Sequence, residues 1–301
     1  MKISNEKISV IFPTFNGWQD TKRCLKSLQQ VSYPKNKLEV WVIDNNSSDN
    51  TPALIKKNFP WVKIICQPKN LGYSKAVNLA VKKTKSDYIL FSNNDVIFDK
   101  DFFTKMVQLA ESNPKIGIIG GKCYNQKGGT IGFNGLRINP YLGYHQYDLN
   151  NLDSIRECDI PPAGGFFVRR KLINKIGSLD EGFFLYFEDI DYCIRTKRAG
   201  FKVLYNPNAV FYHISSKTAY REIRWEDIAT IKYRSKWRCM FKHATVFQIV
   251  SSLAFQFSIV IAFENFNSSV KTYIPLIKGL YWNILNLKNT LNARRLVRRF
   301  Y

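Results

Sequence analysis

Four small polar side chains, Ser92, Asn93, Asn94 and Asp95, separate the apolar runs Tyr88–Phe91 and Val96–Phe98. Polar groups at the carboxyl end of a buried strand stand where open α/β sheets place ligands. Asp95 and the amides beside it are hard oxygen donors, suited to Mg²⁺ or Mn²⁺ carrying a phosphate. The same residues would also serve as plain turn formers. Two earlier strand-like runs end in the same way. Lys7–Phe12 leads into Pro13, Thr14 and Asn16, and Leu38–Ile43 leads into Asp44 and Asn45. Later, Glu188 and Asp189 open a helix, where the dipole favours anions. They could supply a carboxylate base, or be helix-end charge with Asp191 paired to Arg195 four residues on. His213, one of three histidines, ends a strand as Asp95 does and could be a ligand or a structural residue.

The elements that must position these groups follow from periodicity. A helix with Trp18, Cys24, Leu25 and Leu28 on one face follows the first strand. A short helix opens at Thr51 and Pro52, with Asp49 or Thr51 as cap. A strand over Val62–Cys66 leads through Asn70 and Gly72 into a helix from Tyr73 to Lys83. A helix over Asp101–Glu111 and a strand over Ile116–Ile119 follow the strand that ends at Asp95. Strands alternating with helices predict an α/β fold with a mostly parallel sheet and right-handed crossovers. In such a sheet all carboxyl ends share one edge, so the polar clusters converge on one cleft fit for a nucleotide. No GxGxxG or GxxxxGK[ST] occurs, which sets aside the dinucleotide and P-loop solutions. Residues 121–160, rich in Gly, Asn and Tyr, predict a long loop or β-excursion over the cleft mouth. Gly164 and Gly165 precede a strand over Phe166–Arg170, and further strands are expected at Phe201–Tyr205 and Ala209–His213.

In 301 residues, 45% hydrophobic and 15% aromatic, there is ample material for a core. The six cysteines form no CxxC pair, which argues against a zinc or redox motif. Met1–Glu6 lacks an apolar signal-peptide core. The net charge of +22 points to an acidic partner: nucleic acid, anionic membrane or a phosphorylated substrate.

The sequence resembles the family 2 glycosyltransferases of GT-A fold. The resemblance rests on Pro13–Asn16, Val42–Asp49, Asn70–Gly72, Phe91–Asp95, Gly164–Gly165 and Glu188–Arg195, in that order across residues 7–215. The run Phe184–Arg195 is similar to the branch that includes rhamnosyltransferases of cell-surface polysaccharides. This implies an inverting transfer from dTDP-rhamnose or a UDP-sugar to a hydroxyl of a saccharide or lipid-linked acceptor. It implies that Thr14 and Asp44 hold base and ribose, within a donor-nucleotide site of Pro13, Thr14, Asn16, Asp44, Asn45, Asn70, Gly72 and Asn94. Asp95 and His213 would ligate Mn²⁺ or Mg²⁺, and Asp189, with Glu188 beside it, would be the catalytic base. The metal motif reads Asn93, Asn94, Asp95 where many relatives carry two aspartates. A catalytically inactive scaffold of the same fold is the alternative. A nucleic-acid binder is not expected, because the basic excess lies outside the cleft and no binding motif accompanies it.

The glycosyltransferase unit is expected over 1–220 and a helical, basic segment over 221–301. Ala244–Phe263 carries no charge and is long enough to cross ~30 Å of hydrocarbon. Thr245, Gln248, Ser252 and Gln256 give it a polar stripe, which suits a helix lying at the membrane interface or packed in protein. Beyond Glu264 there is no acid, while Lys271, Lys278, Lys288, Arg294, Arg295, Arg298 and Arg299 accumulate among Ile277, Leu280, Ile284, Leu287 and Leu291. Such a tail predicts attachment to anionic lipid on the cytoplasmic face of the cell membrane.

Overall fold

A computed structural model describes residues 6–125, 134–141, 144–147, 152–162, 164–214, 225–263 and 266–298. The first half alternates as the periodicity predicts: β1 (Ile8–Thr14), α1 (Trp18–Gln30), β2 (Leu38–Asp44), α2 (Thr51–Asn58), β3 (Lys63–Cys66), α3 (Tyr73–Val81) and β4 (Tyr88–Phe91). These strands pair in parallel in the order β3-β2-β1-β4. Along β1, Val10 and Phe12 enter one apolar layer with Leu25, Leu28, Phe102 and Phe103, while Ile11 enters the other with Ile43, Val77 and Leu172. That is the period of two expected of a strand covered on both faces.

The second half is β5 (Val96–Phe98), α4 (Phe102–Ser112), β6 (Ile116–Asn125), β7 (Leu136–Asn139), β8 (Tyr144–Tyr147), β9 (Arg156–Glu157), β10 (Phe166–Arg169), α5 (Arg170–Ile176), α6 (Glu188–Arg198) and β11 (Lys202–His213). The sheet departs here from simple alternation. β10 inserts antiparallel between β4 and β6. The two strands expected at Phe201–Tyr205 and Ala209–His213 are one strand, β11, with an irregularity between Asn206 and Val210. Its far end pairs antiparallel with β5, setting His213 opposite Val96. The 121–160 stretch is a β-excursion, in which β7 and β8 form a hairpin tied by Leu136 to Ile160. Residues 126–133, 142–143 and 148–151 of it lie outside the described residues.

Among the described residues four helices follow: α7 (Trp225–His243), α8 (Val246–Phe263), α9 (Phe266–Leu285) and α10 (Leu287–Arg298). α9 packs close along α7, because a Cβ at Gly279 would come within 2.7 Å of the Arg234 nitrogen. Of the polar stripe, Ser252 and Gln256 are buried, Gln248 is half-buried and Thr245 is exposed, while Val246 and Phe247 are 78% and 73% exposed. Ile274, Ile277, Tyr281 and Ile284 form a second exposed apolar row on α9. Among the described residues no helix is long and apolar enough to cross a membrane. The 220/221 boundary and Arg299 lie outside the described residues.

Candidate active site

Parallel pairing puts Thr14 directly beside Asp44 at the ends of β1 and β2. Asp44 Oδ2 accepts the Ser47 N–H at 3.1 Å, while its buried Oδ1 has no hydrogen-bond partner among the described residues. Buried carboxylate oxygens are seldom left so, and a ribose hydroxyl or base N–H is the kind of donor that would complete this one. Thr14 Oγ1 lies 2.9 Å from Thr21 Oγ1 and accepts Asn94 Nδ2 at 3.4 Å. Asn94 therefore sits over the first strand end. Gly17 makes room for it: a Cβ there would be 2.5 Å from Asn94 Nδ2.

The other amides expected at the donor site are engaged in holding loops. Asn16, at φ 46°, accepts the Ser48 N–H at 2.8 Å and the Asp49 N–H at 3.3 Å. Asn45 Nδ2 donates to the Gly72 carbonyl at 3.1 Å, and Asn70 Oδ1 accepts the Gly72 N–H at 2.9 Å. Pro13 lies within β1 opposite Ile43. Gly72 itself has φ +75°, and a Cβ on it would fall 2.3 Å from the Phe184 carbonyl oxygen. That carbonyl accepts the Tyr73 N–H at 2.6 Å, so the loop before α3 is pinned to the segment before α6.

Asp95 and His213, far apart in sequence, meet at the β5–β11 edge. His213 Nε2 is 3.1 Å from Asp95 Oδ1, and the Ile214 N–H donates to the Asp95 carbonyl at 2.9 Å. Burial disfavours the imidazolium, but the hydrogen bond and charge of Asp95 outweigh it and raise the His213 pKa. One carboxylate and one imidazole at this separation can turn to a shared divalent cation. Among the described residues no group of three or more His, Cys, Asp or Glu side chains could hold an ion unaided. The donor set therefore fits a cation whose remaining ligands come from phosphate oxygens and water.

Glu188 and Asp189 open α6 immediately after Tyr186 and Phe187, both in the left-handed region at φ 66° and 67°. Asp189 Oδ1 accepts the Ile190 N–H at 2.8 Å, and Glu188 Oε2 is buried without a partner among the described residues. Burial raises both carboxyls, and the charge of Asp189 adds to the rise of Glu188, to about 8. Tyr73, which the sequence reading overlooked, borders this pair. Its hydroxyl donates to the Ser92 carbonyl at 2.9 Å, and its pKa is raised by burial and then by Glu188 and Asp189. Its place at the start of the helix after Asn70 and Gly72 was the available signal.

The expected Asp191–Arg195 pair exists at 2.9 Å, within a larger buried network. Asp191 also meets Lys242 Nζ at 2.6 Å and His243 Nε2 at 2.7 Å. Asp180 meets Arg238 at 2.9 Å and Lys242 at 2.8 Å. Arg198 donates to His243 Nδ1 at 2.7 Å, so that nitrogen is bare and Nε2–H donates to Asp191. α7 is thereby bolted to the helix that begins with the carboxylate pair.

The Glycosyl transferase family 2 profile matches residues 9–177. The chain is 25% identical over 244 residues to the N-acetylglucosaminyl-diphospho-decaprenol L-rhamnosyltransferase of Mycobacterium tuberculosis, covering 71% of this chain and 78% of that one. It is 25% identical over 224 residues to the protein y4gI of Sinorhizobium fredii, covering 69% of this chain but only 24% of that one. The mannosyltransferase PcManGT from Pyrobaculum calidifontis, solved with GDP-Man and Mn²⁺, superposes with a TM-score of 0.59 at 15% identity, over 99% of this chain and 86% of that one. Edge geometry, fold and matched residues agree: the chain belongs to glycosyl transferase family 2, on the GT-A fold.

Proposed function

We propose that the protein is an inverting, divalent-metal-dependent glycosyltransferase that moves a sugar from a nucleotide diphosphate to a hydroxyl of a lipid-carried saccharide. The observation that carries this reading is a single sheet edge bearing the unpartnered Asp44 Oδ1, the Asp95–His213 pair and, across the Gly72–Phe184 contact, Glu188 and Asp189. Asp44 receives the ribose or base, and Thr14 and Asn94 line the approach. Asp95 and His213 would hold Mn²⁺ or Mg²⁺, which when bound supplies positive charge to the departing diphosphate. Glu188 keeps its proton at neutral pH, which leaves Asp189 the ionised member of the pair. Asp189 then takes the acceptor hydroxyl proton while that oxygen attacks the anomeric carbon and the sugar–phosphate bond breaks. The nucleoside diphosphate leaves with the bonding electrons.

The mycobacterial relative, by its name, acts on a saccharide joined through diphosphate to decaprenol. An acceptor of that class, with dTDP-rhamnose or a UDP-sugar as donor, suits a chain whose C-terminal segment (221–301) exposes apolar rows on α8 and α9 among basic residues. The segment rests on the cytoplasmic face of an anionic membrane, and 1–220 carries the transfer chemistry.

The test is thermal stabilisation by UDP, dTDP and GDP, each with and without Mn²⁺ or Mg²⁺. A nucleotide at a hundred times its Kd adds about 2.7 kcal/mol. A metal-dependent shift with one nucleotide is expected, and dTDP would point to rhamnose. No shift with any of the three overturns the reading.

A further inference from the structure

Tyr73 opens α3 and reaches two other parts of the site at once. The first N–H groups of a helix have no partner within it. That of Tyr73 is spent outside the helix, on the Phe184 carbonyl at 2.6 Å, a short way before Glu188 and Asp189. At the other end of the residue, the hydroxyl donates to the Ser92 carbonyl at 2.9 Å, at the head of the turn that leads to Asp95. Backbone and side chain of one residue thus join the segment before the carboxylate pair to the turn before the cation ligand. A third tie comes from β2: Asn45, next to Asp44, donates its side-chain amide to the Gly72 carbonyl at 3.1 Å.

A buried tyrosine hydroxyl ordinarily finds a partner, and that alone says nothing about function. Tyr192 is such a case, its hydroxyl donating to the Gly177 carbonyl at 3.0 Å just past the end of α5. Tyr73 differs in what its two bonds join. Ser92 is held to β1 by its N–H, which donates to the Ile11 carbonyl at 3.0 Å, and to Gly164 by its hydroxyl, at 2.8 Å from that carbonyl oxygen. Its own carbonyl shares a plane with the Asn93 N–H, so the bond from Tyr73 sets the first peptide of the turn that carries Asn94 and Asp95. The Tyr73 ring packs against the apolar layer that contains Ile11, Ile43 and Val77. A tyrosine side chain has few rotatable torsions, so the span between its two hydrogen bonds is stiff. Glu188 and Asp189 lie close enough for their charge to add to burial in raising the Tyr73 pKa.

We infer that Tyr73 is a positioning residue, which holds the turn carrying Asp95 at a set distance from the segment that leads into Glu188 and Asp189. This rests on the reading of the protein as a metal-dependent transferase, and it adds the residue that keeps the cation ligand and the base in register. The acceptor oxygen must approach opposite the departing diphosphate, and a misplacement of ~1 Å in such a geometry can cost about 10²-fold in rate. The hydroxyl of Tyr73 touches neither reacting atom in this scheme. It acts through the Ser92 peptide.

The test is Tyr73→Phe in the full chain, which removes the hydroxyl and keeps the ring and the N–H. Tyr192→Phe, which loses an equivalent bond to a carbonyl, is the matched control. Mn²⁺ is titrated calorimetrically in the presence of whichever of UDP, dTDP and GDP stabilises the unmodified chain. Tyr73→Phe should weaken Mn²⁺ about tenfold, the scale of leaving one buried acceptor unmade, with binding of the nucleotide alone unchanged. Tyr192→Phe should leave the Mn²⁺ affinity as it is. Amide hydrogen exchange over residues 92–95, read without metal or nucleotide, should quicken several-fold in Tyr73→Phe and stay unchanged in Tyr192→Phe. An unchanged Mn²⁺ affinity or unchanged exchange in Tyr73→Phe overturns the inference, as does an equal loss in Tyr192→Phe. A loss of metal-free nucleotide binding as large as that of Mn²⁺ overturns it too, because it would report a general loosening. Absence of metal-dependent stabilisation in the unmodified chain would instead overturn the proposed function, and exchange over 92–95 would still decide whether Tyr73 holds the turn.

Discussion

In the proposed mechanism the adjacent carboxyls Asp189 and Glu188 have different duties. Burial raises both, and the charge of Asp189 adds to the rise of Glu188, to about 8, so Glu188 retains its proton at neutral pH. The base must be ionised to act, so activity should fall as pH drops through a pKa lying above the ordinary Asp value of about 3.9. The acid limb of a kcat/KM profile reads this directly, and a limb at or below pH 4 would contradict it. Asp189→Asn should lower kcat by roughly 10²–10⁴-fold, the usual scale of general-base assistance, with the nucleotide Kd nearly unchanged. Near-normal turnover in this variant would remove Asp189 as the base. His213 makes a separate prediction. Its pKa is raised beside Asp95, and a cation needs the neutral imidazole. Mn²⁺ affinity in the presence of nucleotide should therefore weaken as pH falls through a value above the ordinary histidine value of about 6.5, and His213→Ala should flatten that dependence.

At the scale of elements, the strand ends were legible in the sequence because short-range pattern fixes them. An apolar run that stops at Asp44 or Asp95 declares both the strand and its polar terminus. The antiparallel insertion of β10 was not legible, because Phe166–Arg169 reads equally well in either direction and only its partners, Phe91 and Gly120, decide. The α6–α7 network was hidden for the same reason, since Asp180 and Arg238 carry no local mark of their pairing. Its energetic weight can be tested. Burial alone would raise the Asp191 pKa, but Lys242, Arg195 and His243 hold it well below the usual range. The folded-state value is depressed, so the stabilisation is present above the unfolded value of about 3.9 and is lost as pH falls below it. Asp191→Ala would leave Lys242 and Arg195 buried without this carboxylate, at a cost of about 3–5 kcal/mol. Chemical denaturation at neutral pH should show that loss, and a change under 1 kcal/mol would mean the network contributes little.

Over the whole molecule, charge and apolar surface divide by region. The donor edge carries Asp44 and Asp95, while α8 to α10 expose Phe247, Val250, Ile277 and Leu296 among Lys278, Lys288 and Arg295. Basic residues near an anionic bilayer contribute about 1 kcal/mol each. Flotation with phosphatidylglycerol vesicles should therefore recover the protein at low salt and less of it at high salt. The double substitution Phe247→Asp and Val250→Asp should reduce recovery several-fold, whereas unchanged recovery would place the lipid contact elsewhere. The contact between Gly72 and the Phe184 carbonyl has a consequence for recombination among relatives. A Cβ at position 72 has no room, and the Tyr73 N–H spends its hydrogen bond on that same carbonyl. The loop before α3 and the segment before α6 thus share one backbone junction. A chimaera that exchanges donor specificity by swapping residues 1–100 should fold and turn over only when residues 183–187 travel with them.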